Sequence, residues 1–152
     1  MQVSELMSRD VVTIGLSDSC HAAAERMCRG KIRHLPVVGE GGTPEGVVTD
    51  RDLRHHLFAS GVFQEIGSVS VQTLLKAVPV KEIMSAPVVS ISPAADVEVA
   101  ARLMREHKIG SLPVVAAGKL VGILTETDLL RQIVRADAWC CADVECIVVS
   151  YP

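Results

Sequence analysis

Lys31-Ile32-Arg33-His34-Leu35-Pro36-Val37-Val38 comes back 77 residues later as Lys108-Ile109-Gly110-Ser111-Leu112-Pro113-Val114-Val115. The copy extends outward from there. Residues 3–38 align with 80–115 without a gap, and 16 of those 36 positions are identical. Val3-Ser4-Glu5-Leu6-Met7-Ser8 matches Val80-Lys81-Glu82-Ile83-Met84-Ser85, and Val11-Val12-Thr13-Ile14 matches Val88-Val89-Ser90-Ile91. After a one-residue adjustment, Gly46-Val47-Val48-Thr49-Asp50-Arg51-Asp52-Leu53 matches Gly122-Ile123-Leu124-Thr125-Glu126-Thr127-Asp128-Leu129. One structural unit is used twice.

At 152 residues the chain has the length of a single ordinary domain, so both copies must share one compact module. Apolar residues make up 49%, enough for a core and too many for a disordered chain. The aromatics are only Phe58, Phe63, Trp139 and Tyr151, so the core is built from Val, Leu, Ile, Ala and Met. A net charge of −3 and the lack of aromatic platforms argue against a nucleic-acid partner. No apolar run reaches the roughly 18–20 residues that span a bilayer, which argues against membrane insertion. The first residues, Met1-Gln2-Val3-Ser4-Glu5, do not read as a secretory signal. The five cysteines follow no disulfide spacing, and a cytoplasmic setting is the expectation.

Each copy reads as strand–helix–strand–strand–helix. Val11–Ile14 and Val88–Ile91 are short β-branched runs, each preceded by a helical turn at Val3–Met7 or Val80–Met84. Ser19 and Asp96 stand at N-cap positions. Cys20, Ala23, Ala24 and Met27 then fall on one helix face, and Val97, Ala100, Ala101 and Met104 repeat the spacing. Leu35–Val38 and Leu112–Val115 form the next strand. Turns at Gly41–Pro44 and Ala117–Lys119 lead into strands Gly46–Thr49 and Leu120–Thr125, and final helices begin near Asp50 and Glu126. The expected division is a first repeat at 1–59, a linker with a helical turn at 60–79, a second repeat at 80–136 and a tail at 137–152. The fold class is α/β (α+β), two β-α-β-β-α repeats related by a pseudo-twofold axis and packed sheet to sheet. Such a pairing leaves two clefts of similar shape.

Both repeats end in Gly-apolar-apolar-Thr-x-x-Asp: Gly46, Thr49, Asp52 and Gly122, Thr125, Asp128. One reading is structural, because Thr at an N-cap with an acid three positions on is close to a capping box. The other is functional. An ionised Asp can accept both hydrogens of a ribose diol, and a Thr at a helix N-terminus can bond a sugar or phosphate oxygen. The two roles are compatible in one residue pair.

The ordered set of these pieces, present twice, resembles a tandem pair of cystathionine-β-synthase-type (CBS) domains. This is the adenosine-sensing unit called a Bateman module, here similar to the small stand-alone bacterial type. The likeness covers residues 3–58 and 80–135. It rests on Met7-Ser8 and Met84-Ser85, on the two Leu-Pro-Val-Val segments, and on Val48–Leu53 with Leu124–Leu129. The resemblance implies a CBS-pair architecture with a ligand in each cleft. Asp52 or Asp128 would hold the ribose, and Thr49 or Thr125 would support ribose or phosphate. Residues around Thr13 and Ser90-Ile91, with Pro36-Val37 and Pro113-Val114, would line the adenine pocket. Arg33, His34 and Arg51 match basic residues that reach phosphates near the pseudo-axis in some relatives. Gly110, Ser111 and Thr127 replace them in the second copy, which lacks that charge.

Other signals are weaker. Cys20 falls on the buried helix face and reads as an inert core thiol, with Cys28 similar or half-exposed. The tail thiols Cys140, Cys141 and Cys146 match no ordinary zinc spacing. His55 and His56 point in different directions on a helix, and His21 and His107 have no partner at ligand spacing. No nucleophile elbow, phosphate loop or metalloprotease motif occurs, so an enzyme is not expected. The reading is a non-catalytic regulatory module for AMP, ADP, ATP, NAD or S-adenosylmethionine. It requires no cofactor, although Mg2+ could accompany a triphosphate. Expected partners are the adenosine ligand, a second copy in a homodimer and an unidentified effector protein. The alternative is a protein–protein interaction module without a nucleotide, in which the Thr-x-x-Asp motifs serve only as caps.

Overall fold

In the computed structural model, residues 1–59 and 69–136 are described. The elements run α1 (Val3–Leu6), β1 (Ile14–Gly15), α2 (Cys20–Gly30), β2 (His34–Val38), β3 (Pro44–Thr49), α3 (Asp50–Ala59), α4 (Val69–Ala77), α5 (Val97–His107), β4 (Ser111–Ala116), β5 (Lys119–Thr125) and α6 (Glu126–Ala136). One sheet has the order β1-β2-β3 and the other pairs β4 with β5. The β2–β3 and β4–β5 pairs are antiparallel, with the same register break before the turn, between Val37 and Val38 and between Val114 and Val115. The α/β class and the two-sheet plan expected from the repeat are present.

Local chemistry starts and ends the helices. The Ser19 hydroxyl accepts from the Ala22 amide at 3.2 Å, and the Asp96 carboxylate accepts from the Glu98 amide at 2.8 Å. The two helices stop alike, at Lys31 (φ 50°) and Lys108 (φ 54°), each in the left-handed conformation. Cys20, Ala23 and Met27 are buried, as are Ala100 and Met104. Ala101, placed on the same face from its spacing, is exposed.

The cores cross the repeats. Val3 and Met7 pack with Ile91, Ala100, Met104, Leu112, Val114 and Leu124 of the second copy. Val80 joins Ile14, Cys20, Ala23, Leu35, Val37 and Val48 of the first, with Ile83 and Met84 packed against them. Paired hydrogen bonds fix the exchange. The Val3 amide donates to Ala95 and the Val80 amide to Asp18, at 2.9 and 2.8 Å. Ser8 and Ile123 exchange amide–carbonyl bonds at 2.9 and 3.0 Å, while Ser85 and Val47 do so at 2.9 and 3.2 Å. These partners interconvert under the sequence repeat, which is what a twofold relation between the copies requires. Each copy's leading segment therefore completes the other copy's core.

Two expectations change. The β-branched runs do not form full strands: only Ile14 and Gly15 pair with β2, and the second copy keeps a single parallel bridge, Ile91 to Val114. Val11-Val12 and Val88-Val89 line the clefts instead. The linker carries more than a helical turn. Its helix α4 buries Leu75 in the first core with Val71 and Val78 packed against it.

Candidate functional site

The Thr-x-x-Asp motifs close reciprocally. Asp52 Oδ2 accepts the Thr49 amide and the Thr49 hydroxyl, both at 2.8 Å, and the Asp52 amide donates to Thr49 Oγ1 at 3.2 Å. In the second copy the corresponding distances are 2.9, 2.6 and 3.4 Å. These are capping boxes built with Asp in place of Glu, at the N-termini of α3 and α6. Only one carboxylate oxygen is used. Asp52 Oδ1 has no bond among the described residues, and Asp128 Oδ1 lies 3.8 Å from Arg131. Each box thus caps its helix while a second acceptor stays open.

Each box borders a cleft whose far wall comes from the other repeat. The first cleft, of about 490 Å³, sets Thr49, Arg51 and Asp52 against Pro87–Val89 and Lys108–Ser111. The second, of about 250 Å³, sets Thr125, Thr127 and Asp128 against Asp10–Val12 and Lys31–His34. The exchange of leading segments is what brings Val88-Val89 to Asp52 and Val11-Val12 to Asp128.

The remaining site residues expected from sequence fall elsewhere. Pro36, Val37, Pro113 and Val114 are fully buried in the central strands β2 and β4, and Ile91 is buried beside them. None of them lines either cleft. They are core because both faces of these short sheets are covered. Thr13 is half-buried with its carbonyl accepting from Arg26 at 2.7 Å, Ser90 is exposed, and neither borders a cleft. The apolar walls are formed one or two residues earlier.

Arg33 and His34 line both clefts, whereas Arg51 lines the first alone. Burial pushes the His34 imidazole below its ordinary pKa and Arg33 adds to the effect, while Glu126, Asp50 and Asp52 pull the other way. The ring reaches across to the second copy: a Cβ on Gly110 would stand 3.1 Å from His34 Nε2. Cleft cations that the motif reading missed are Arg105 and Lys108 in the first, and Lys31 and Arg131 in the second. Lys31 and Lys108 carried a signal, since both belong to the identical Lys-Ile pair that precedes β2 and β4.

Cys20 is fully buried and its thiol is pushed up to about 11, chiefly by burial, so it is chemically quiet. Cys28 is exposed, and Cys140, Cys141 and Cys146 lie outside the described residues. Among the described residues no cluster of His, Cys, Asp and Glu suits a metal ion, and no helix is long and apolar enough to cross a membrane.

Comparison with known proteins identifies the family and agrees with the fold. The family model described as "CBS domain" matches residues 3–59 and 80–135. A CBS domain-containing protein of Dictyostelium discoideum is 34% identical over 134 residues, covering 88% of this chain and 91% of the relative. The CBS domain-containing protein YhcV of Bacillus subtilis is 35% identical over 127 residues, covering 84% and 81%. Three other curated relatives are longer, and this chain spans 32%, 44% and 25% of them. Among solved structures, the CBS domain pair of protein MJ0100 superposes with a TM-score of 0.72 at 26% identity, covering 90% of this chain and 98% of that one. That pair was crystallised with 5′-methylthioadenosine and S-adenosyl-L-methionine.

Proposed function

The chain belongs to the CBS-domain family, and from that premise we propose that it is a non-catalytic sensor of adenosine-containing ligands. The observation that carries the reading is the placement of each Thr–Asp box at a cleft completed by the opposite repeat. Asp52 and Asp128 hold the ribose diol through the carboxylate oxygen that capping leaves open, and Val88-Val89 or Val11-Val12 flank the base. Arg33, His34 and Arg51 receive phosphate oxygens. Because the walls of each cleft come from different repeats, a ligand touching both clamps the halves together and shifts the population an effector protein can read. Mg2+ enters only with a triphosphate. The exposed apolar positions Phe58 on α3 and Leu130, Ile133 and Val134 on α6 fit a homodimer contact. The two adenosyl compounds crystallised with the MJ0100 pair support the adenosyl class.

A thermal-shift screen with AMP, ADP, ATP, NAD and S-adenosylmethionine tests the reading. A ligand at a hundred times its Kd adds about 2.7 kcal/mol of stability. The expected result is stabilisation by at least one of them that is lost in Asp52→Asn or Asp128→Asn. No stabilisation by any of the five returns the protein to the interaction-module reading, in which the boxes are caps and nothing more.

A further inference from the structure

The two clefts are alike in backbone and unlike in charge. Lys108 in the first corresponds to Lys31 in the second, so that cation is common to both. At three other equivalent positions the balance tips toward the first cleft, and against them stands Arg131 of the second, which lies 3.8 Å from Asp128. Arg51 of the first cleft corresponds to Thr127 of the second, and Arg105 to Cys28, which does not line the second cleft at all. Pro87 of the first corresponds to Asp10 of the second. The acids facing the first cleft do not reverse this, because Asp50 is paired with Arg54 at 3.0 Å and Asp52 is bound into its cap, leaving Glu126 beside His34. Size follows the same order. About 490 Å³ lies within the range of roughly 300–1,000 Å³ usual for small-molecule sites, and about 250 Å³ lies below it.

We propose that the clefts sort adenosyl ligands by charge: the first takes a nucleotide with two or more phosphates, and the second takes an adenosyl ligand without phosphate. Arg51, Arg105 and Lys108 surround the polyphosphate. Asp10 repels it from the second cleft, where Thr127 offers a neutral hydroxyl in place of Arg51 and Arg131 lies beside Asp128. The assignment rests on the adenosine-sensing reading above and adds to it which ligand class enters which cleft.

Calorimetric titration of the full chain with ADP and with adenosine tests the sorting, using Arg51→Thr and Thr127→Arg. These variants exchange the residues of the two repeats without touching either capping pair. The expected result is one ADP site, weakened about tenfold or more by Arg51→Thr, and two adenosine sites that this change leaves in place. Thr127→Arg is expected to create a second ADP site. Two equal ADP sites in the unmodified protein, or an ADP site indifferent to Arg51→Thr, overturns the sorting while leaving the adenosine reading standing. Failure of both ADP and adenosine to bind overturns that reading, and the sorting with it.

Discussion

A side chain on Gly46 would collide with the backbone of Ser85: a Cβ there would sit 2.8 Å from the Ser85 carbonyl oxygen and equally close to the Met84 sulfur. Gly122 meets Met7 and Ser8 in the same way, at 2.6 Å from the sulfur and 3.1 Å from the Ser8 carbonyl. The glycine of each Gly-x-x-Thr-x-x-Asp motif is therefore an exchange point, where the other copy's leading segment crosses the strand. Backbone cannot retreat there, because Ser85 and Val47 bond each other in both directions. Gly46→Ala should cost about 1–3 kcal/mol, the usual range for overpacking, with Gly122→Ala similar or slightly milder. Urea unfolding of the two variants checks this, and wild-type midpoints for both would show that the crossing is loose.

The exchange also marks the limit of what could be read from the chain. Caps at Ser19 and Asp96, and the Thr–Asp boxes, were legible because the donor and acceptor lie within three residues of each other. The packing of Val3 on Ile91, or of Val80 on Ile14, was not. A repeat in sequence reveals that two units are equivalent without revealing which unit each segment completes. The same gap misplaced the cleft walls. Thr13, Ser90 and the Leu-Pro-Val-Val residues stand out in the sequence because they flank the repeated motifs, whereas the apolar residues that line the two clefts are Val11-Val12 and Val88-Val89. Lys31 and Lys108 were overlooked because a left-handed cap position is normally read for glycine, as backbone and not as charge.

His34 should make stability depend on pH in a definite direction. Its folded pKa is held below the ordinary value of 6.5 by burial and by Arg33, so the folded state favours the neutral ring. The contribution is complete above the unfolded pKa and is lost as pH falls through the folded one. His34→Gln should flatten this part of the stability profile between pH 7.5 and the onset of carboxylate protonation. Proton NMR of the imidazole gives the direct check, and a midpoint at or above 6.5 in the ligand-free protein would contradict the burial argument.

Because Arg33 and His34 border both clefts, two anionic ligands must divide the same pair of cations. The second cleft favours an adenosyl ligand without phosphate, and occupying the first with ADP should weaken its residual affinity for AMP by about five- to tenfold more, the lower end of ordinary coupling between sites. Adenosine, which makes no demand on the cations, should be almost unaffected. Arg33→Gln should reduce the difference between AMP and adenosine. Competition calorimetry measures each term, and equal coupling for AMP and adenosine would mean that the clefts communicate through shape and not through shared charge.

The lysine caps set stability against binding. Lys31 and Lys108 each hold a left-handed conformation that costs an L side chain about 1–2 kcal/mol, and glycine removes that strain at about 0.4–1 kcal/mol of added chain entropy. Lys31→Gly and Lys108→Gly should each stabilise the protein by about 0.5 kcal/mol. Their effects on ADP should diverge, because Lys108 lines the first cleft with Arg51 and Arg105, whereas Lys31 lines the second with Asp10. Lys108→Gly is expected to lower ADP affinity severalfold and Lys31→Gly to leave it unchanged. Paired melting and calorimetry on the two variants separate the effects. If Lys108→Gly gained stability and kept full ADP affinity, Lys108 would be out of reach of the phosphates, and the left-handed lysine would have no ligand to account for it.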